Sequence, residues 1–255
     1  MEGETMSEFL KQIAEGHFDA VLFDLDGVLT ATASLHAACW KTMFDEYLQR
    51  RAAASGDAFQ PFEIATDYKQ YVDGKLRYDG VHAFLESRGI ELPWGNPEDP
   101  PDRETVCGLG NRKNELIQEH LASGKVEVFE SSVALVRRLR GAGVKTAVVS
   151  ASKNCEAILK AAGIADLFEF RVDGVVASQL QLAGKPAPDT FLEAARQLGV
   201  EPERAVVVED AVSGVQAGRA GGFGLVIGVD RKGDPEALRN NGADVVVTDL
   251  GELFD

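Results

Sequence analysis

Cysteine is scarce. The 255 residues include three, Cys39, Cys107 and Cys155, far apart and without the spacing of a metal site. That excludes a disulfide scaffold and fits a reducing compartment. His17, His82 and His120 likewise show no metal spacing and read as surface or packing residues. Positive charge is short too: 26 Lys and Arg stand against 41 Asp and Glu, a net charge of −15. Neither nucleic acid nor an anionic membrane is steered toward such a surface. No segment reaches the ~18 apolar residues of a membrane-spanning helix, and the first 16 residues lack a basic region before a long apolar run. A cytoplasmic protein is expected. No repeat of about 20 to 50 residues is visible, and the glycines of 218–224 form neither a dinucleotide nor a phosphate-loop fingerprint. What is present is an ordinary globular composition, 45% apolar and 26% charged. At about 150 residues per domain, the length suits one large domain or two modest ones.

The organising stretch runs from Ala20 to Thr30. Ala20, Val21, Leu22 and Phe23 lead into Asp24 and Asp26, then Gly27. An apolar run of this kind reads as a buried parallel strand, and the glycine as a sharp turn at its end. In an open α/β sheet that end of a strand is where ligands bind. Two carboxylates there are costly unless a cation joins them or one of them is protonated.

After a short helix at 7–15 and this first strand, 34–51 has helical spacing, with Ser34 as the expected N-cap. A polar break at 54–61 follows, then helical patterns at 64–72, 79–88 and 103–121, with a proline-rich loop at 93–101. From 126 onward strands and helices alternate: helix 131–140, strand 144–150, helix 154–162, strand 170–172 and helix 188–198. Strand 205–208, helix 212–220 and strands 223–229 and 244–247 complete the chain. Such alternation means a doubly wound parallel sheet. The expected organisation is an α/β core formed by 1–33 and 124–255, with an all-helical domain inserted at 34–123.

Three of these strands end in polar residues: Asp24 and Asp26, Ser150, and Glu209 with Asp210. Lys185 lies in Gly184-Lys185-Pro186-Ala187-Pro188, a proline-stiffened loop just before a helix. Parallel strands put all of them at one sheet edge. The set amounts to an acidic pocket for a hard dication, with a hydroxyl and an ammonium for an anion. A carboxylate can attack phosphorus to give an acyl phosphate, given a dication and donors to hold the phosphoryl oxygens.

Asp24-Leu25-Asp26-Gly27-Val28, Ser150, Lys185 and Glu209-Asp210 resemble the four motifs of the haloacid dehalogenase (HAD) superfamily. The resemblance covers essentially the whole chain. It implies a Rossmann-like core with a helical cap that closes over the site, Asp24 as nucleophile and Asp26 as general acid and base. It implies Mg²⁺ held by Asp24, Asp210 and the backbone carbonyl of Asp26, with Glu209 close by. Ser150, Ala151 and Lys185 would hold the transferring phosphoryl group. Within the superfamily, the chain is similar to the β-phosphoglucomutase-like family. The similarity rests on Thr32 and His36 after the nucleophile loop, 74–79, Arg112-Lys113-Asn114 and 150–154.

That family resemblance implies a substrate set of His36, Gly74, Arg77, Lys113, Ser152 and Asn154. It implies interconversion of β-glucose 1-phosphate and glucose 6-phosphate through a β-glucose 1,6-bisphosphate, by a monomer. A hydrolase of hexose phosphates or trehalose 6-phosphate uses the same core motifs and is the alternative reading; a non-catalytic phosphosugar-binding protein is a third. The chain departs from the family at Ala31, where an acidic residue is usual before the threonine. The helical block is also longer, near 52–61 and 93–102.

Overall fold

In the computed structural model, residues 8–123 and 126–254 are described. The chain divides into two units, Met1–Ala31 with Val126–Asp255, and Thr32–Lys125. In chain order the helices are α1 (Glu8–Ala14), α2 (Ala33–Ser55), α3 (Arg77–Ser87), α4 (Val106–Ser123) and α5 (Glu130–Gly141). They continue as α6 (Cys155–Ala161), α7 (Gly174–Leu180), α8 (Asp189–Leu198), α9 (Val212–Ala220) and α10 (Pro235–Asn240). The strands are β1 (Ala20–Phe23), β2 (Lys145–Val149), β3 (Phe170–Val172), β4 (Ala205–Glu209), β5 (Leu225–Val229) and β6 (Val245–Val247).

The first unit is an α/β sheet in the order β3-β2-β1-β4-β5-β6. Every pairing is parallel; Phe23 aligns with Val148 on one side and Val208 on the other. All four residues of β1 are buried, as are all five of β4, which is why both read as unbroken apolar runs rather than alternating ones. The strand order reverses on the two sides of β1. A crevice opens at such a switch point, outside the carboxyl ends of the strands, and here β1 and β4 flank it.

The second unit shows no strand among its described residues. Its core is aromatic: the Phe44 ring lies 4.2 Å from Phe84 and 5.0 Å from Phe62, centroid to centroid, and Trp40 stacks on Phe44 at 5.5 Å. Residues 64–72 form a π-helical segment, Ile64–Val72, in place of the expected ordinary helix. Its bonds reach one residue farther than those of an α-helix: Tyr68 N donates to Glu63 O and Asp73 N to Tyr68 O, each five residues back.

Three expectations need correction. Thr32, not Ser34, stands at the N-cap of α2; Ser34 already lies inside the helix. The break expected from 54 begins later, because α2 runs to Ser55 and ends at Gly56 in the left-handed conformation. Two helices, α7 and α10, occur where the sequence analysis expected none. The β-branched pair Val175-Val176 masks α7, which starts because the Asp173 carboxylate accepts both of their amide N–H groups. Residue 7, where the first helix was expected to begin, lies outside the described residues.

Candidate active site

The site is built from strand ends of the α/β unit. β1 delivers Asp24, whose amide donates to Val208 O, so the nucleophile candidate is registered directly against β4. Asp26 follows, half-buried, before Gly27 turns the chain with φ +92°. Glycine is required there twice over. The conformation is left-handed, and a Cβ would collide with the Asp210 carboxylate. The turn and the end of β4 are therefore packed as one piece.

Lys185 is 4% exposed and reaches the centre of this group. Its ammonium donates to Asp24 Oδ1 at 2.6 Å, Glu209 Oε1 at 2.5 Å and Val149 O at 3.3 Å, using all three of its hydrogens. Burial alone would lower its pKa; the carboxylates of Asp24 and Glu209 reverse that and hold the ammonium charged. Asp24 carries the opposite strain. Burial pushes its carboxyl well up despite Lys185, with Glu209, Asp26 and Asp210 adding to the rise. The peptide bond before Pro186 is cis. The second oxygen of Glu209 accepts from Ala211 N at 2.8 Å, and Lys232 Nζ lies 3.4 Å from Asp210 Oδ2.

Asp24, Glu209 and Asp210 are buried and offer ligand oxygens within 4.8 Å of one another. Hard carboxylate oxygens clustered in this way are the donor set of a hard dication, so the residues fit a metal. The upward push that Glu209 and Asp210 give the Asp24 carboxyl is the electrostatic counterpart of that fit.

The loop after β2 presents two hydroxyls in series. Ser150 Oγ accepts from Ser152 N at 3.1 Å, and Ser152 Oγ accepts from Asn154 N at 3.1 Å, just before α6. Ala151 lies between them, and its carbonyl leaves no room for a Cβ at Gly174. Thus Asp24, Asp26, Ser150, Ala151, Ser152, Asn154, Lys185, Glu209 and Asp210 all stand at the carboxyl edge of one sheet.

The remaining candidates belong to the helical unit. Lys113, 5% exposed on α4, meets His36 Nδ1 of α2 at 2.9 Å and lies 5.0 Å over the Trp40 ring. Arg77, at the start of α3, donates to Asn114 Oδ1 at 2.8 Å, and Gly74 turns the preceding loop with φ +72°. Arg112, beside Lys113, forks onto Glu46 at 3.2 Å through two nitrogens. His36 with Lys113, and Arg77 with Asn114, are thus direct contacts between residues far apart in sequence.

The profile of the haloacid dehalogenase-like hydrolases matches residues 18–222. The chain belongs to that family. Within it, the chain is 53% identical over 238 residues to the β-phosphoglucomutase of Mycobacterium tuberculosis, covering 92% of this chain and 91% of that protein. A β-phosphoglucomutase structure from Clostridium difficile shares the fold, with a TM-score of 0.73, 24% identity and coverage of 92% and 93%. A HAD family hydrolase from Deinococcus radiodurans, solved with bound phosphate and sodium, is 34% identical with a TM-score of 0.61, covering 93% and 94%. This HAD chain therefore has the sheet of its family, with Asp24, Lys185, Glu209 and Asp210 grouped at its strand ends. Sequence reasoning missed Arg231 and Lys232, which follow β5 at the same sheet edge. The rule that found Asp24 and Asp210, a polar residue just past a strand, also points to them.

Proposed function

We propose that this protein is a Mg²⁺-dependent phosphomutase interconverting β-glucose 1-phosphate and glucose 6-phosphate. The observation that carries mutase over hydrolase is its 53% identity to a β-phosphoglucomutase over 92% of the chain. The buried carboxylate group around Lys185 supports the chemistry. In this reading Asp24, the Asp26 carbonyl, Glu209 and Asp210 hold the cation. Bound there, Mg²⁺ would offset the repulsion between the Asp24 carboxylate and the phosphoryl oxygens.

The protein's own groups do the rest. Phosphorylated Asp24 gives its phosphoryl group to the 6-hydroxyl of β-glucose 1-phosphate while Asp26 takes the hydroxyl proton. The product, β-glucose 1,6-bisphosphate, turns end for end. Asp24 then attacks the 1-phosphoryl group, and Asp26 returns its proton to the departing sugar oxygen, leaving glucose 6-phosphate and phosphorylated Asp24. Ser150, the Ala151 backbone and Lys185 hold the transferring oxygens. Lys185 does so by exchanging its bond to Asp24 Oδ1 for one to a phosphoryl oxygen. Arg77 and Lys113 supply cations for the second phosphate, and His36, Gly74, Ser152 and Asn154 complete the sugar set.

The second reading is a sugar-phosphate hydrolase, favoured by the hydrolase relative with bound phosphate. Phosphorus NMR of β-glucose 1-phosphate with Mg²⁺ and a trace of the bisphosphate tests the choice. Conversion to glucose 6-phosphate is expected. Inorganic phosphate appearing without glucose 6-phosphate selects the hydrolase.

A further inference from the structure

Arg231 has no role in the chemistry above, yet its contacts converge on the turn that carries Asp26. It lies in the loop after β5, a loop shaped by Asp230, whose Oδ1 accepts from Lys232 N at 3.0 Å and Asp234 N at 3.1 Å. From there the Arg231 Nε–H donates to Gly27 O at 2.9 Å and Nη1–H donates to Thr248 O at 2.9 Å. The guanidinium lies 3.7 Å from the centre of the Phe129 ring, within cation–π range. Its side chain is 18% exposed, so water competes weakly for these contacts.

The contacts to Gly27 and Phe129 bear on the turn. Glycine is the residue that leaves a backbone most free, and Gly27 sits between Asp26 and Val28 with its carbonyl available to be turned. One hydrogen bond inside the turn, Gly27 N to Thr30 O at 2.8 Å, restrains it from one side. Arg231 restrains it from the other. Phe129 lies where the chain re-enters the unit, and its amide donates to Leu29 O at 3.0 Å, on the segment by which the chain leaves. The Ser132 hydroxyl, one helical turn into α5, donates to Val28 O at 2.7 Å. Arg231 therefore joins the Gly27 carbonyl, the re-entering segment and the β6 loop in one fixed fork. A lysine has no planar fork with which to reproduce it.

We propose that Arg231 is a positioning residue for phosphoryl transfer. It fixes the Gly27 peptide, and through it the Asp26 carbonyl and side chain, against the Asp210 carboxylate. This rests on the reading of the sheet edge as a metal-dependent phosphoryl-transfer site. A group that orients metal-holding or reacting groups without touching substrate typically changes metal affinity about 10- to 100-fold when removed. Misplacing the reacting geometry by about 1 Å costs up to about 10²-fold in rate.

The test uses the full chain, with R231M, R231K and F129L beside the wild type. Calorimetric titration with Mg²⁺ alone, without substrate, should show R231M about tenfold weaker or more. The kcat should fall about 10- to 100-fold while KM for the sugar phosphate stays within about threefold. Amide hydrogen exchange at residues 27–30 should quicken in R231M, metal-free, and F129L should show the same changes in smaller measure. R231K should recover less than half of the logarithmic loss; it also carries the test if R231M fails to fold. Wild type that binds Mg²⁺, with R231M and R231K matching it in affinity, kcat and exchange, overturns the inference alone. Wild type that binds no Mg²⁺ overturns the underlying reading instead, and the exchange at 27–30 then still decides whether Arg231 fixes the turn.

Discussion

The two units present their polar groups in different ways. In the α/β unit, depth along a strand fixes where a side chain emerges, so residues just past four different strands meet at one edge. Asp24, Ser150, Asp210 and Arg231 come from 24, 150, 210 and 231 in the sequence and share that edge because the strands are parallel. In the helical unit, no common edge exists. His36 meets Lys113 across α2 and α4, and Arg77 meets Asn114 across α3 and α4, each pair by its own helix-to-helix contact. A parallel sheet thus gathers chemistry by rule, whereas a helical bundle gathers it pair by pair.

The sharpest way to break this contrast is at the sheet edge. Asp24→Asn should abolish turnover, by about 10⁴-fold or more if Asp24 is the nucleophile, measured as glucose 6-phosphate formation. Activity within tenfold of wild type would move the chemistry elsewhere. Next in size, Lys185→Met leaves Asp24 and Glu209 as buried carboxylates without their shared ammonium. Removing one partner of such a buried set should cost about 3–5 kcal/mol, read from urea unfolding of the metal-free protein.

The helical unit should respond on a smaller scale and in a different observable. Arg77→Ala removes a charge-assisted donor worth about 1.5–3 kcal/mol, so KM for β-glucose 1-phosphate should rise about 10- to 100-fold. A shift in melting temperature with KM unchanged would make Arg77 a packing residue. Smallest of all is an ion pair that belongs to neither cluster. Glu193 on α8 is held at a pKa of about 2, mainly by the Arg196 fork, with Gln197 helping. A carboxyl depressed in the folded state stabilises it above its unfolded pKa and ceases to do so as pH falls through the folded one. Glu193→Gln should therefore lie below wild type at pH 6 by less than about 1 kcal/mol, because Arg196 is exposed. The gap should close between pH 4.5 and 2.

The same contrast explains what could be read from the sequence. The all-parallel sheet was legible because β1 and β4 are unbroken apolar runs ending in acids, a pattern with few other solutions. Lys185 was legible only in combination with Asp24, Ser150 and Glu209-Asp210, its two prolines adding modestly. Its bridging of Asp24 and Glu209 was not, since 161 and 24 residues separate the partners. Arg231 follows a strand as Asp24 and Asp210 do, but what it holds was not legible, since its partner Gly27 lies 204 residues away in the sequence. In the helical unit, spacing gave the helices but not their ends. Ser34 was a better cap by residue type than Thr32, and the chain caps α2 two residues earlier.

The central claim is that the carboxylate registered against β4 becomes phosphorylated. Incubating the protein with Mg²⁺ and β-glucose 1,6-bisphosphate, quenching in acid and mapping peptides by mass spectrometry tests it directly. One phosphoryl group, labile to hydroxylamine, is expected on Asp24, and none in Asp24→Asn. A phosphoryl group on another residue, or unmodified Asp24 while glucose 6-phosphate is being made, would contradict that claim.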